Sequence, residues 1–134
     1  MAKQYGLEIY PYEAGGDIST KQFYIFKSTT TDRRIAICSD EGDLIVGVLQ
    51  NTPSAAGQMA AVAVRGISKV VRGAGTITAG IWVCPDSSGR AIPLALANQD
   101  EICVLGQVYA INGAANAGEI IEVNVNPFFF HANV

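Results

Sequence analysis

The chain has 134 residues, 49% hydrophobic and only 16% charged, with nine basic against twelve acidic side chains and a net charge of −3. That length suits one domain with enough core to fold unaided; so small a charged fraction, against roughly 25% in soluble globular chains, implies that other chains cover part of the surface. Beyond the pair Arg33–Arg34 there is no basic run to displace phosphate counterions, and no apolar run long enough for a membrane span, so neither nucleic acid nor membrane is an expected partner.

In chain order, residues 1–20 carry Tyr5, Leu7, Ile9, Tyr10, Pro11, Tyr12 and Gly15-Gly16 without strand alternation, and are expected to form an extended N-terminal arm. The first residues also lack the apolar segment of a secretory signal, so a protein made in the cytoplasm that stays there or leaves by lysis is expected. Strand-length runs follow at Phe23–Phe26, Arg34–Cys38, Leu44–Leu49, Ala60–Val64, Ser68–Val71, Ile81–Cys84, Ile102–Leu105 and Glu119–Val125. β-Branched and aromatic residues dominate them, and Gly, Asn, Asp and Pro divide them. Many short strands at close spacing predict an all-β sandwich or barrel, spanning residues 21–126. Helical signal is weak. Ser54–Ala61 is broken by Pro53 and Gly57, and Ala91–Asn98 is limited by Pro93, which allows at most one short helix.

Two segments echo one another. Val46-Gly47-Val48-Leu49 leads through a loop to Gly57 and then to Val62 and Val64; Leu105-Gly106-Gln107-Val108 leads to Gly118 and then to Val123 and Val125. In both, the valines stand five and seven residues after the second glycine. A Cys-x-Asp turn precedes each segment, at Cys38–Asp40 and Cys84–Asp86. The pattern reads as two related hairpin units, or as coincidence between two Gly/Val-rich stretches. Residues 127–134 form a tail with Phe128, Phe129 and Phe130 in a row. On a strand, consecutive side chains face opposite sides. Either at least one ring therefore points outward as an interface anchor, or all three close the end of the barrel.

Candidate chemistry is sparse. His131 is the one histidine, so a Ser-His-Asp triad or a Cys-His pair has little to draw on. Cys38, Cys84 and Cys103 sit among apolar neighbours with no metal-ligand spacing and read as buried, reduced thiols. Asp40-Glu41-Gly42-Asp43 lacks the ladder of a calcium loop and reads as a solvated turn between strands. Arg72-Gly73-Ala74-Gly75-Thr76 lacks the ending of a phosphate loop and reads as a linker. No catalytic residue, metal ligand or cofactor site is assigned, and a non-enzymatic protein is expected.

The order of the segments resembles the capsid decoration, or cement, proteins of tailed phages. The likeness covers about residues 35–125. It rests on Gly47, Val48, Leu49, Asn51, Pro53, Gly57, Val62 and Val64, then on Ile77 to Gly80 with Val83, Asp86 with Gly89, Gly106 with Val108, and Ala117 to Val123. The chain departs from the pattern at Ile81-Trp82, where the family often carries a polar residue. The resemblance implies a small β-barrel or β-tulip-like domain. It also implies homotrimers on the outer surface of the virion head, bridging major capsid protein subunits and stabilising the mature shell. Shell or intersubunit contacts are expected from Tyr5, Leu7, Ile9, Tyr10 and Tyr12 of the arm and from Phe128, Phe129 and Phe130 of the tail. The alternative kept beside it is a phage-associated carbohydrate-binding or tail-fibre adhesion module, with Trp82 and the tyrosines stacking on sugar rings.

Overall fold

A computed structural model describes residues 5–95 and 101–131. The strands are β1 (Tyr5–Ala14), β2 (Ile25–Ser28), β3 (Arg34–Ile37), β4 (Ile45–Leu49), β5 (Met59–Val71), β6 (Trp82–Pro85), β7 (Ala91–Pro93), β8 (Glu101–Ala110) and β9 (Ile120–His131). No helix occurs among the described residues. Gln58, in the alanine-rich stretch, instead accepts the backbone N–H groups of Ser54 and Ala55 on its side-chain oxygen and fixes a turn into β5. Ala91–Pro93 is a strand, and residues 96–98 of that second candidate helix lie outside the described residues.

All nine strands join one sheet in the order β1-β3-β2-β4-β5-β9-β8-β6-β7, and β1 also pairs with β5. The fold is therefore all-β, as expected, and the sheet curls into a closed ring of β1, β3, β2, β4 and β5. A second ring closes beside it. β5 pairs with β9, β9 with β8, β8 with β6 and β6 with β7, and a parallel bridge from Arg72 to Ala91 returns the chain to the end of β5.

The two rings have the same wiring. Ala14 meets Ile35 in parallel register, as Arg72 meets Ala91. Glu13 pairs with Met59, as Val71 pairs with Ile120. Phe26 pairs with Ile37 and Gly47, as Val83 pairs with Pro93 and Gly106. Val48 faces Ala63, as Gln107 faces Asn124. The loop bonds match too: Ala14 and Arg72 donate to the carbonyls of Gln58 and Glu119, each at 2.9 Å, and receive from Gly57 at 2.9 Å and Gly118 at 2.8 Å. The echo in the sequence is thus a structural repeat. Strands β1 to β5 form the first unit, β5 to β9 the second, and β5 ends one and begins the other. The Cys-x-Asp turns are not part of it, since Cys38 follows β3 whereas Cys84 lies within β6, before the β6–β7 turn.

β5 merges two of the expected strands. The interruption at Arg65-Gly66 reads as a break in sequence, but here glycine lets β1 cross at close range: a Cβ on Gly66 would sit 2.4 Å from the carbonyl oxygen of Gly6. The chain bends there (φ +108°) and the strand continues. Residues 5–14 of the expected arm form β1, laid antiparallel along β5. The mixture of tyrosines, proline and glutamate shows no period of two because Tyr12 is partly buried while Ile9, Tyr10 and Pro11 are all exposed.

Each ring has its own core. Phe26, Ile35, Leu49, Ala60 and Val62 fill the first, with Tyr12 packed against them. Val70, Val83, Leu105, Val108, Ile121, Val123 and Val125 belong to a larger cluster that takes in Ile25, Cys38 and Val48 from the first ring, so the second core packs against strands of the first. At roughly 25 cal/mol per Å² of apolar surface removed from water, these aliphatic side chains supply the main stabilising contribution.

Candidate shell-binding surfaces

Two surfaces collect the apolar side chains that the core does not use. The first is built on β1, where Ile9 and Tyr10 are about half exposed. Tyr10 and Tyr12 line a groove of about 420 Å³ together with Glu8, Val46, Arg65 and Pro127. Pro127 comes from the start of the expected tail, so the fold brings the N-terminal aromatic segment and the approach to the phenylalanine run into one depression. Leu7 is partly buried. Tyr5 pairs with Ile67 through its backbone, and its side chain lies outside the described residues.

The second surface lies on β9 and β6. The phenylalanines do not form a loose tail, because β9 runs on to His131 and pairs Phe128, Phe129 and Phe130 with Val104, Cys103 and Ile102 of β8. Phe128 and Phe129, on opposite faces of the strand, are 42% and 48% exposed, so these two rings do not close the core. The side chain of Phe130 lies outside the described residues. Phe128 stands edge-on to Trp82, ring centroids 5.6 Å apart and planes at 86°, the geometry that aromatic quadrupoles favour. Trp82 in turn borders an apolar groove of about 370 Å³ with Thr76, Ile81, Pro93 and Leu94. Trp82 stands among the expected residues only in the carbohydrate-binding alternative; the departure of Ile81-Trp82 from a polar pattern is the sequence feature that marks its exposure. Tyr109, Leu44 and Met59 are also exposed, and nothing in their local sequence sets them apart from core residues.

The polar candidates are structural. The Asp43 carboxylate accepts the backbone N–H groups of Ser39 (2.8 Å) and Asp40 (3.1 Å) and pairs with Lys27 at 3.2 Å. Burial works to raise its pKa, but the Ser39 N–H, Lys27 and the Asp40 N–H together hold it below the ordinary value. This ties the β3–β4 turn to β2. Arg72, 3% exposed, donates to the carbonyl oxygens of Gly73, Gly75 and Ala114 and pins the linker once compared with a phosphate loop. Cys38, Cys84 and Cys103 are buried free thiols. Burial pushes all three up in pKa, helped at Cys84 by Glu41 and Asp86, which bring it to about 12. Among the described residues no group of histidine, cysteine and carboxylate side chains is placed to hold a metal ion. What the surface offers instead is exposed aromatic and aliphatic side chains on paired strands.

No curated protein matches the chain in sequence. The family model described as phage cement protein matches residues 5–126, from the first described residue of β1 into β9. The match takes in β1, which lies outside the segments that carry the resemblance in sequence, and with nearly the whole chain covered, this protein belongs to the phage cement protein family, a family of structural proteins.

Proposed function

We propose that the chain coats the outer surface of a mature tailed-phage head as homotrimers and stabilises it by bridging neighbouring major capsid protein subunits. The observation that carries the reading is the exposed apolar side chains on two strands, Ile9 and Tyr10 on β1 and Phe128 and Phe129 on β9, set on a charge-poor chain. Large apolar side chains left outside a core mark contact with other chains. Exposed apolar side chains on two separate strands give a single copy the means to hold two neighbours. Binding to the expanded shell and not to its precursor favours the expanded state by mass action. Family membership supports association with the phage capsid. The test is stoichiometry in purified virions. About one copy per major capsid protein is expected, and a handful of copies per particle would reassign the chain to the tail or to a vertex.

One observation favours an adhesion module instead: Trp82, 43% exposed beside an apolar groove, is a surface on which a sugar ring stacks. Titration calorimetry with mono- and oligosaccharides decides it. Binding heat that vanishes in Trp82→Ala would support that reading, and its absence leaves the groove to a protein contact.

A further inference from the structure

The repeat makes one contact inside the chain whose two halves recur, unmatched, at opposite ends. In the first unit, the face formed by Ile25, Ile37 and Cys38 is covered by the β6–β7 turn of the second unit. The Ile25 N–H donates to the Gly89 carbonyl at 2.8 Å. Gly89 is buried there, and a Cβ on it would lie 2.5 Å from Cγ1 of Ile37. Ile25 and Cys38 are completely buried as a result of that turn and the core beneath them.

The pairings assign each residue its counterpart. Ile25 faces Val48 as Trp82 faces Gln107, and Phe26 meets Ile37 as Val83 meets Pro93. The Cys38 N–H donates to Ile25 and the Leu94 N–H to Trp82, both at 2.9 Å. The face that a turn covers in the first unit therefore corresponds, in the second, to Trp82, Pro93 and Leu94. No turn among the described residues covers it: beside the edge of the Phe128 ring, Trp82 is 43% exposed where Ile25 is 0%, and the three side chains line the groove of about 370 Å³.

The other half is the β2–β3 turn, counterpart of the β6–β7 turn that does the covering. Arg33 (φ +61°) stands two residues before Ile35, as Gly89 (φ +78°) stands two before Ala91, so the two turns share a backbone bend. Thr29, Thr30, Thr31, Asp32 and Arg33 are all exposed. Arg33 brings a side chain where Gly89 has none, and the open groove gives it room. A guanidinium beside an indole ring is also a favourable pairing.

We propose, resting on the self-association put forward above, that the Trp82 groove receives the β2–β3 turn of a second copy of this chain. The contact repeats between copies the step that relates the two units within one copy. It is head-to-tail, and it closes into a ring where the rotation permits. The shell-facing surfaces on β1 need take no part in it.

A photocrosslinker tests the contact. Trp82→p-benzoylphenylalanine is introduced into the full chain, heavy-nitrogen-labelled and unlabelled copies are mixed, the mixture is loaded on shells stripped of this protein, and the linked peptides are sequenced. The expected result is a link between copies, from position 82 to residues 29–33. The converse variant, Thr30→p-benzoylphenylalanine, is expected to link to the strand around Trp82 and guards against a folding defect in the first. Links to the major capsid protein, to another part of this chain, or to nothing while the shells are fully occupied would overturn the contact and leave the capsid reading standing. Failure of both variants and of the unmodified chain to load on shells would sink the capsid reading. The same variants in concentrated free protein then decide the contact, and no link there overturns it as well. Trp82→Ala is expected to weaken association of copies by about tenfold or more, as loss of a buried aromatic anchor does.

Discussion

Gly47 and Gly106 occupy the same place in the two rings: a Cβ on either would lie 2.0 Å from a carbonyl oxygen of the paired strand, that of Ala63 for Gly47 and that of Asn124 for Gly106. No side chain fits in either position without moving backbone. The prediction is that Gly47→Ala and Gly106→Ala each cost about 3 kcal/mol or more, near the upper end for overpacking. Gly16→Ala, into open space with no left-handed backbone, stays within about 0.5 kcal/mol. Urea unfolding monitored by tryptophan fluorescence measures all three.

Arg72 is expected to be as sensitive for the opposite reason. Arg72→Met keeps the apolar stem but strips the carbonyls of Gly73, Gly75 and Ala114 of their donor inside the second ring. Each unsatisfied buried acceptor costs about 1–3 kcal/mol, and partial access of water tempers the sum. A total loss of about 3 kcal/mol is expected by chemical denaturation. A loss under about 1 kcal/mol would mean that water replaces the guanidinium.

Asp43 sets an acid limit. Its folded pKa lies below the ordinary value of 3.8, so the carboxylate contributes stability that is present above that value and lost as pH falls through the folded pKa. Asp43→Asn is expected to be less stable at neutral pH by about 1 kcal/mol, the worth of an ordinary hydrogen bond, and to show a flatter decline below pH about 4. Identical acid profiles for the two proteins would remove Asp43 from this role.

The thiols set an alkaline one. Their pKa values are raised in the fold, so their contribution is whole below the ordinary value of 9.0 and fades as pH rises above it toward about 12 for Cys84. At pH 8 the native chain is expected to take up almost no iodoacetamide in an hour, and the denatured chain three labels by intact mass. Rapid labelling of the native form would contradict the burial of Cys38 and Cys84.

The exposed strands are expected to tolerate polarity yet lose the shell. Ile9→Ser with Tyr10→Ser, and Phe128→Ser with Phe129→Ser, remove side chains that are about half exposed, and should shift stability by less than about 1 kcal/mol each. Loss of an interface anchor costs about 2 kcal/mol or more, so occupancy of stripped shells should need roughly thirtyfold more protein. Wild-type occupancy by both double variants would place the shell contact elsewhere.

The all-β class and most strands were legible because alternating valines and Gly/Asn/Asp turns encode period and punctuation locally. The Gly47–Val64 and Gly106–Val125 echo was legible for the same reason, since each close approach demands glycine. The larger repeat was not. Ala14 corresponds to Arg72 and Glu13 to Val71, pairs that share backbone partners and no chemistry, so nothing in the letters equates β1 with β5. That one ring of Phe128 and Phe129 points outward was legible from the two-residue period of a strand; that both are exposed was not, since it depends on what lies over each face of β9. Trp82 was not, because its exposure depends on whether a distant turn lies over it, as Gly89 lies over Ile25.

β5 has one further consequence, for force. β1 lies along one edge of its first part, Met59–Ile67, and β9 pairs with its second part, Gly66–Val71. Tension drawn in through β1 and out through β9 therefore passes along this one strand. Such a pull acts along the strands and strains a row of hydrogen bonds together in shear, where peeling would break them one at a time. A coat gripped at β1 and at β9 would resist stretching of the surface beneath it by the same ladder that closes its two rings.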